Sequence, residues 1–423
     1  MSDFPVNLGT ESPTSDLWPA YTAAAPRHVF LHSVFRPQRE LPIFCNPIAL
    51  FFAVWILMLV CLSFHISYVI YPGLATPLLI FAVSAGSLLL GFFACTAILD
   101  RDRHQDESAS FLLDVTTLRR MNLLFCALTL PIIALNWRLS GAPPAIGDPT
   151  TYLAYGKLEQ ILFPLLICIA VNASLDPSRL RRYAFITFAL GVLALYIARG
   201  IMLVAFLQMF FLSALRSRAS RKRQFWLAGG AVAIAIAGMT IIGNLRTARE
   251  IFMAFLDIRP DYSNWPMAIL WFVSYISIPF SNLCWMTAHG SFHAHTLSFL
   301  YALLPSFMVP ADPYESIYGS FNIIDGASTY LKAWALDFSY LGIYFANLII
   351  GMGCGWLVRR AYPRNILVLA ILLTSISLLF FSDYFFLLLT VVQVFLQVAV
   401  QKRCFHWQES YQENVSRYAH ASP

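Results

Sequence analysis

DPSRLRRYAFITFALGVLALYIARGIMLVAFLQMFFLSALRSRASRKR, residues 176–223, is an apolar run bounded by basic clusters and broken once, at Arg199-Gly200. A membrane helix needs about 20 apolar residues, and short loops rich in Lys and Arg stay on the cytoplasmic side. A single span would put one of the two basic clusters outside. The stretch therefore reads as a hairpin of two short helices, each about 16 residues or roughly 24 Å at 1.5 Å per residue. Arg199 falls at its outer turn. The same logic applies to 366–400, flanked by Arg359, Arg360 and Arg364 before it and Lys402 and Arg403 after it. Its only break is Ser382-Asp383-Tyr384, a second outer turn.

Composition sets the frame for these hairpins. Of 423 residues, 59% are hydrophobic and 12% charged, and mean hydropathy is +0.66. A soluble domain is closer to a quarter charged, so this chain lacks the polar shell that a water-soluble core of its size would need. The fold class expected is all-α: a polytopic integral membrane protein of about 12 transmembrane helices, with both termini cytoplasmic. Further spans are expected at 46–66, 75–99, 121–137, 158–175, 225–243, 267–288 and 338–358, with a shorter one at 293–309. Residues 1–42, rich in Pro, Ser, Thr and Ala, read as a disordered cytoplasmic tail. The membrane domain then covers 43–403, and 404–423 forms a cytoplasmic C-terminal tail.

Charge placement closes the alternation. Of the 28 Lys and Arg, only Arg138, Lys157, Arg199, Arg246, Arg249, Arg259 and Lys332 fall on the outer side. The net charge of +6 is thus explained by membrane topology and calls for no nucleic-acid partner. The eight cysteines form no CxxC pair and sit mostly in apolar runs, as small core hydrophobes do. No metal site is expected: His289, His293 and His295 lack the HExxH spacing, and no P-loop is present.

Scarcity makes the outer basic residues informative. Arg246 and Arg249 lie in Gly243-Asn-Leu-Arg-Thr-Ala-Arg-Glu250, and on a helix the i, i+3 spacing puts both guanidinium groups on one face. Two planar forks so placed suit a phosphate or pyrophosphate. Arg199 could approach them from the neighbouring hairpin tip. The same arginines also suit snorkelling to lipid headgroups, with Glu250 as a local partner, and Arg199 suits an interhelical salt bridge to Asp383. Among outer acids, Asp337 and Asp383 each adjoin a span, so each also suits a cap or ion pair. Tyr262, Trp265, Tyr314, Tyr318, Tyr330 and Trp334 offer aromatic faces for sugar rings, or act as interface anchors.

The order of several short motifs resembles the oligosaccharide repeat-unit polymerases (Wzy-type O-antigen and exopolysaccharide polymerases) of the bacterial inner membrane. Ser140-Gly-Ala-Pro-Pro144 is similar to the family's Gly-x-Pro turn, Arg199-Gly200 to its Arg-Gly hairpin, and Gly243 through Arg249 to its Gly-x-x-Arg segment. Tyr275-Ile-Ser-Ile-Pro279 with Asn282-Leu283 resembles its Tyr…Pro…Asn-Leu helix. Thr329-Tyr330…Asp337-Phe338…Gly342 resembles its Thr…Asp-Phe-Gly…Gly stretch, with Ser339 standing where the family has glycine.

The resemblance implies a multi-pass glycosyltransferase of the inner membrane, metal-independent and without a cofactor. Its substrates would be undecaprenyl-pyrophosphate-linked oligosaccharides in the lipid bilayer, and a chain-length regulator and a flippase would be its protein partners. It implies Arg199, Arg246 and Arg249 on the pyrophosphate, Asp337 or Glu250 as the catalytic carboxylate, and Tyr262, Trp265 and Tyr330 against the sugars. Two other functions stay open on the sequence: an O-antigen ligase, which usually carries a functional histidine on a large outer loop, and a transporter or flippase of lipid-linked sugars. The only clear outer histidine is His65, in a short loop.

Overall fold

The computed structural model describes residues 32–35, 41–68, 73–99, 111–147, 158–216, 226, 229–230, 249–289, 297–304, 308, 329–361, 365–380 and 384–407. These residues are mostly helical. In chain order they form α1 (Pro47–Ser63), α2 (Ala75–Leu99), α3 (Val115–Ser140), α4 (Glu159–Ala173), α5 (Arg179–Leu195) and α6 (Arg199–Arg216). There follow α7 (Arg249–Phe255), α8 (Met267–His289), α9 (Lys332–Trp356), α10 (Ile366–Ser377) and α11 (Leu388–Cys404).

Against an expectation of about 12 spans, four helices among the described residues are long and apolar enough to cross a membrane: residues 75–99, 115–139, 267–287 and 332–359. Four shorter apolar helices, at 47–63, 159–173, 200–216 and 366–377, accompany them. The expected span at 225–243 lies almost wholly outside the described residues. At 293–309 the described residues hold a short 3₁₀ helix, Ser298–Leu303, and no α-helix. Six residues at about 2 Å per residue cover roughly 12 Å, far short of a bilayer core.

Helix starts follow local chemistry. Asn46 caps α1, its Oδ1 accepting from the N–H groups of Ile48 at 3.0 Å and Ala49 at 3.3 Å, with Pro47 in the first turn, where its missing N–H costs nothing. Asp114 caps α3 in the same way, accepting from Thr116 N at 2.9 Å and Thr117 N at 3.0 Å. The hairpin expected at 176–223 is present. The chain breaks at Tyr196–Ala198, with Ile197 at φ +53°. Arg182 and Arg216, at the far ends of α5 and α6, are close enough to repel one another. An unbroken helix would hold them about 50 Å apart.

Two apolar cores result. One surrounds α4, whose residues from Leu162 to Ala173 are all buried, and draws on α3, α5, α6, α10 and α11. The other joins α1, α2, α7, α8 and α9. Within it α2 and α9 approach backbone to backbone through small residues. A Cβ on Gly91 would lie 2.2 Å from the Leu348 carbonyl oxygen, and one on Gly351 would lie 2.1 Å from that of Leu88. Such small-residue seams are how helices associate where lipid tails remove the hydrophobic drive.

The all-α expectation needs one addition. Three short strands, β1 (His32–Phe35), β2 (Phe111–Asp114) and β3 (Phe405–Trp407), form an antiparallel sheet in the order β1-β2-β3. β1 falls inside the stretch read as a disordered tail, and β3 opens the C-terminal one. Long-range pairing creates these strands, and no local alternation announces them. The sheet brings the two ends of the chain against the segment that leads into α3. Beside this end of the bundle, Arg119 holds Asp176 through Nε at 2.7 Å and a second guanidinium nitrogen at 2.8 Å.

Candidate functional site

At the opposite end of the bundle the segment 249–266 folds over the residues that follow α1. A single β-bridge joins Ser67 to Ile258. Arg259 N donates to the Ile66 carbonyl at 2.9 Å, and Tyr68 N donates to that of Asp257 at 3.3 Å. These backbone contacts set two loops, 190 or so residues apart in sequence, into one surface.

Arg259 is the centre of that surface. Its guanidinium donates to His65 Nδ1 at 3.3 Å and to Asp261 Oδ2 at 3.1 Å. It also lies over the rings of Tyr68 and Tyr262, 5.8 and 6.0 Å from their centroids, within cation–π range. Arginine only donates, so His65 Nδ1 accepts and the ring proton of the neutral imidazole sits on Nε2. Partial desolvation, and then the Arg259 charge, hold the imidazole below its usual range. At neutral pH His65 is therefore an uncharged ring beside a fixed cation.

Arg249 opens α7 and reaches back to the carbonyl oxygens of Ser263 and Trp265, the latter at 3.3 Å. One of its terminal nitrogens thus braces the loop that carries the aromatic residues. Glu250, next to it, is exposed in the first turn of the helix. Tyr262 donates its hydroxyl to the Phe64 carbonyl at 2.5 Å. Its ring meets Trp265 edge-on, with centroids 4.9 Å apart, and Trp265 meets Phe64 at 5.7 Å. Arg249, Glu250, Tyr262 and Trp265 are therefore neighbours on one surface, together with Arg259 and His65.

The other expected residues stand elsewhere. Asp337 is fully buried in α9, where Oδ2 accepts from Ser298 Oγ and Phe299 N, both at 3.0 Å. Tyr330 is also fully buried and donates to Asn347 Oδ1 at 2.5 Å, so its ring offers no face to an incoming sugar. Arg199 opens α6, and the backbone of its hairpin tip is met by the turn after α3, where Ala145 N donates to the Leu195 carbonyl at 3.0 Å. The Arg199 side chain, Arg246, Tyr314, Tyr318 and Asp383 lie outside the described residues.

Sequence reasoning missed the roles of Arg259 and His65. The one available signal was Arg259-Pro260-Asp261-Tyr262, a cation directly before a turn, but its partner lies 194 residues away. Among the described residues no three His, Cys, Asp or Glu side chains gather as metal ligands do. The arrangement can hold an anion at Arg259 and Arg249 and present aromatic edges beside it. No protein-family model, curated protein or solved structure matches the chain.

Proposed function

We propose that this chain polymerises undecaprenyl-pyrophosphate-linked oligosaccharide repeat units into a surface polysaccharide, at the outer face of the bacterial inner membrane. The observation that carries the reading is the gathering of Arg249, Arg259, Tyr262 and Trp265 on one end of the bundle. A polymerase of this kind needs fixed positive charge and aromatic surface at one face of the membrane. Mid-membrane charge and repeat symmetry would instead favour a transporter.

In this reading the chain crosses the bilayer about 12 times, and both termini are cytoplasmic. The three-stranded sheet supports that orientation, because it joins both ends of the chain to a loop on the strongly basic side. Arg246 and Arg199 complete the cationic surface with Arg249 and Arg259. A hydroxyl of the incoming repeat unit attacks the anomeric carbon of the donor sugar. The bond from that carbon to the pyrophosphate oxygen breaks, and the electron pair leaves with the lipid pyrophosphate. The arginines stabilise the leaving group in a partly desolvated setting, where fixed charges act most strongly.

The attacking hydroxyl gives its proton to a carboxylate. Exposure favours Glu250 for that role over Asp337, which is enclosed and occupied by two donors. His65 is the weaker base in this arrangement, since its free lone pair accepts from Arg259. A flippase would deliver the repeat units, and a chain-length regulator would limit the product.

The test is deletion of the gene in its host, with gel analysis of surface and lipid-linked glycans. Single repeat units that persist while long polymer is lost support the reading. Full-length polymer accumulating on the lipid carrier would instead identify a ligase or exporter. Complementation with Arg249→Ala or Arg259→Ala should restore protein in the membrane without restoring long polymer.

A further inference from the structure

The α5–α6 hairpin brings two arginines together at its open end. α5 and α6 have 17 and 18 residues, so the start of one lies level with the close of the other once the chain reverses at Tyr196–Ala198. On α5, Arg182 stands on the same face as Ala189 and Leu193, the buried residues of that helix. On α6, Arg216 stands on the same face as Ala205, Gln208 and Leu212, which are buried too. Each arginine thus continues the inward stripe of its own helix. Both side chains leave their helices on the bundle side, and Arg216 feels the charge of Arg182.

The acids at this end, among the described residues, are Asp114 and Asp176. Asp114 caps α3. Asp176 is gripped by Arg119, and the cations that act on its charge are Arg119 and Arg181. Arg182 makes no ion pair among the described residues. Its guanidinium lies over the ring of Tyr183, 5.5 Å from the centroid. Arg179, one turn earlier, is exposed, as is Tyr183, and Leu180 beside them is 82% exposed. Leu180 and Tyr183, three residues apart, share a face. Cations interleaved with exposed apolar side chains at a helix end suit a lipid, whose phosphate matches the first and whose chains match the second. Free phosphate would leave Leu180 and Tyr183 in water.

We propose that the open end of the α5–α6 hairpin binds an anionic phospholipid, with Arg182 and Arg216 sharing its headgroup phosphate. Guanidinium forks from two helices hold one phosphate through charge-assisted hydrogen bonds. The anion turns the mutual repulsion of the two arginines into a clasp across the hairpin. Arg179 adds charge from the adjoining turn, while Leu180 and Tyr183 lie against the glycerol and the acyl chains. The headgroup thereby stabilises the pairing of α5 with α6. This inference stands apart from the glycan reading and from the arginine surface at the opposite end of the bundle.

The test is the melting temperature of the whole chain in nanodiscs of phosphatidylcholine, and in nanodiscs of equal parts phosphatidylcholine and phosphatidylglycerol. Wild type should melt several degrees higher in the mixed discs. Arg182→Gln and Arg216→Gln should each lose most of that gain. In phosphatidylcholine alone Arg182→Gln should melt at or above wild type, because the repulsion is gone. Arg138→Gln, in the last turn of α3 and so at its other end, should keep the gain. No gain in wild type, or an equal gain in all three variants, overturns the site. Arg182→Gln melting well below wild type in phosphatidylcholine would show that the protein itself holds the guanidinium, and would also overturn it. Inorganic phosphate added to the phosphatidylcholine discs should change nothing; a shift equal to that of phosphatidylglycerol would overturn the lipid assignment.

Discussion

Asp337 Oδ2 accepts a hydrogen bond from Ser298 Oγ at 3.0 Å, across 39 residues of chain. With the Phe299 N–H on the same oxygen, the carboxylate anchors the 3₁₀ segment Ser298–Leu303 to α9. Phe299 then stacks on Trp334, with ring centroids 4.2 Å apart. Asp337→Ala would leave the Phe299 N–H and the Ser298 hydroxyl without their acceptor, at a cost of about 2–3 kcal/mol. Asp337→Asn keeps an acceptor oxygen and should cost about 1 kcal/mol. Thermal unfolding separates the two variants. On the proposed polymerase reading, an anchoring Asp337 leaves long polymer in the Asn variant; lost polymer at an unchanged melting temperature would reassign it to the chemistry.

Two residues beyond Asp337, the backbone of Ser339 leaves the helix at φ +56° and ψ −140°. A side chain there is strained by about 1–3 kcal/mol, and glycine is free of that strain. Ser339→Gly should therefore fold normally and raise stability by about 1 kcal/mol. Ser339→Val, branched at Cβ, should lower it by at least as much. A destabilised glycine variant would show that the Ser339 side chain contributes more than its backbone costs.

The α2–α9 seam makes a sharper demand. Any Cβ on Gly351 would run into the Leu88 carbonyl, and any on Gly91 into that of Leu348. The obstacle in each case is backbone, which cannot swing aside. Gly351→Val and Gly91→Val should each cost more than about 3 kcal/mol and lower the yield of folded protein in the membrane. Gly353→Ala, two residues on and with open space around it, should be almost neutral. Similar melting temperatures for Gly351→Val and Gly353→Ala would disprove the close approach.

Much of this fold was legible because charge and apolar run length act locally. The basic flanks of 183–215 and the Arg199-Gly200 break gave the hairpin, and the break at Tyr196–Ala198 lies beside that dipeptide. The sheet was hidden, because His32–Phe35 is a strand only through pairing with Phe111–Asp114. The candidate surface was legible in part. Tyr262 and Trp265 stood out in the sequence as outer aromatic residues, but Arg259 acquires its place from His65, 194 residues away. Burial was the other blind spot. Nothing around Tyr330 in the sequence signals that its hydroxyl points inward to Asn347, which lies on the same helix-forming stretch 17 residues later.

The Arg119–Asp176 pair makes the last prediction one of pH. Burial alone would push the Asp176 carboxyl up, but the Arg119 guanidinium, the Ser178 N–H and the Arg181 charge outweigh it and hold the carboxyl below its ordinary range. A carboxyl depressed in the folded protein contributes stability that is fully present above the unfolded value of about 4. That contribution is lost as pH falls through the lower, folded value. The melting temperature of the wild-type protein should therefore fall as pH drops from about 5 toward about 2. Asp176→Asn should begin lower and show a shallower fall. Arg119→Ala leaves the buried carboxylate without its partner and should cost about 3 kcal/mol at neutral pH, with its deficit shrinking on acidification as Asp176 takes up a proton. If Arg119→Ala lost the same stability at every pH, the pair would be holding the helices by packing alone.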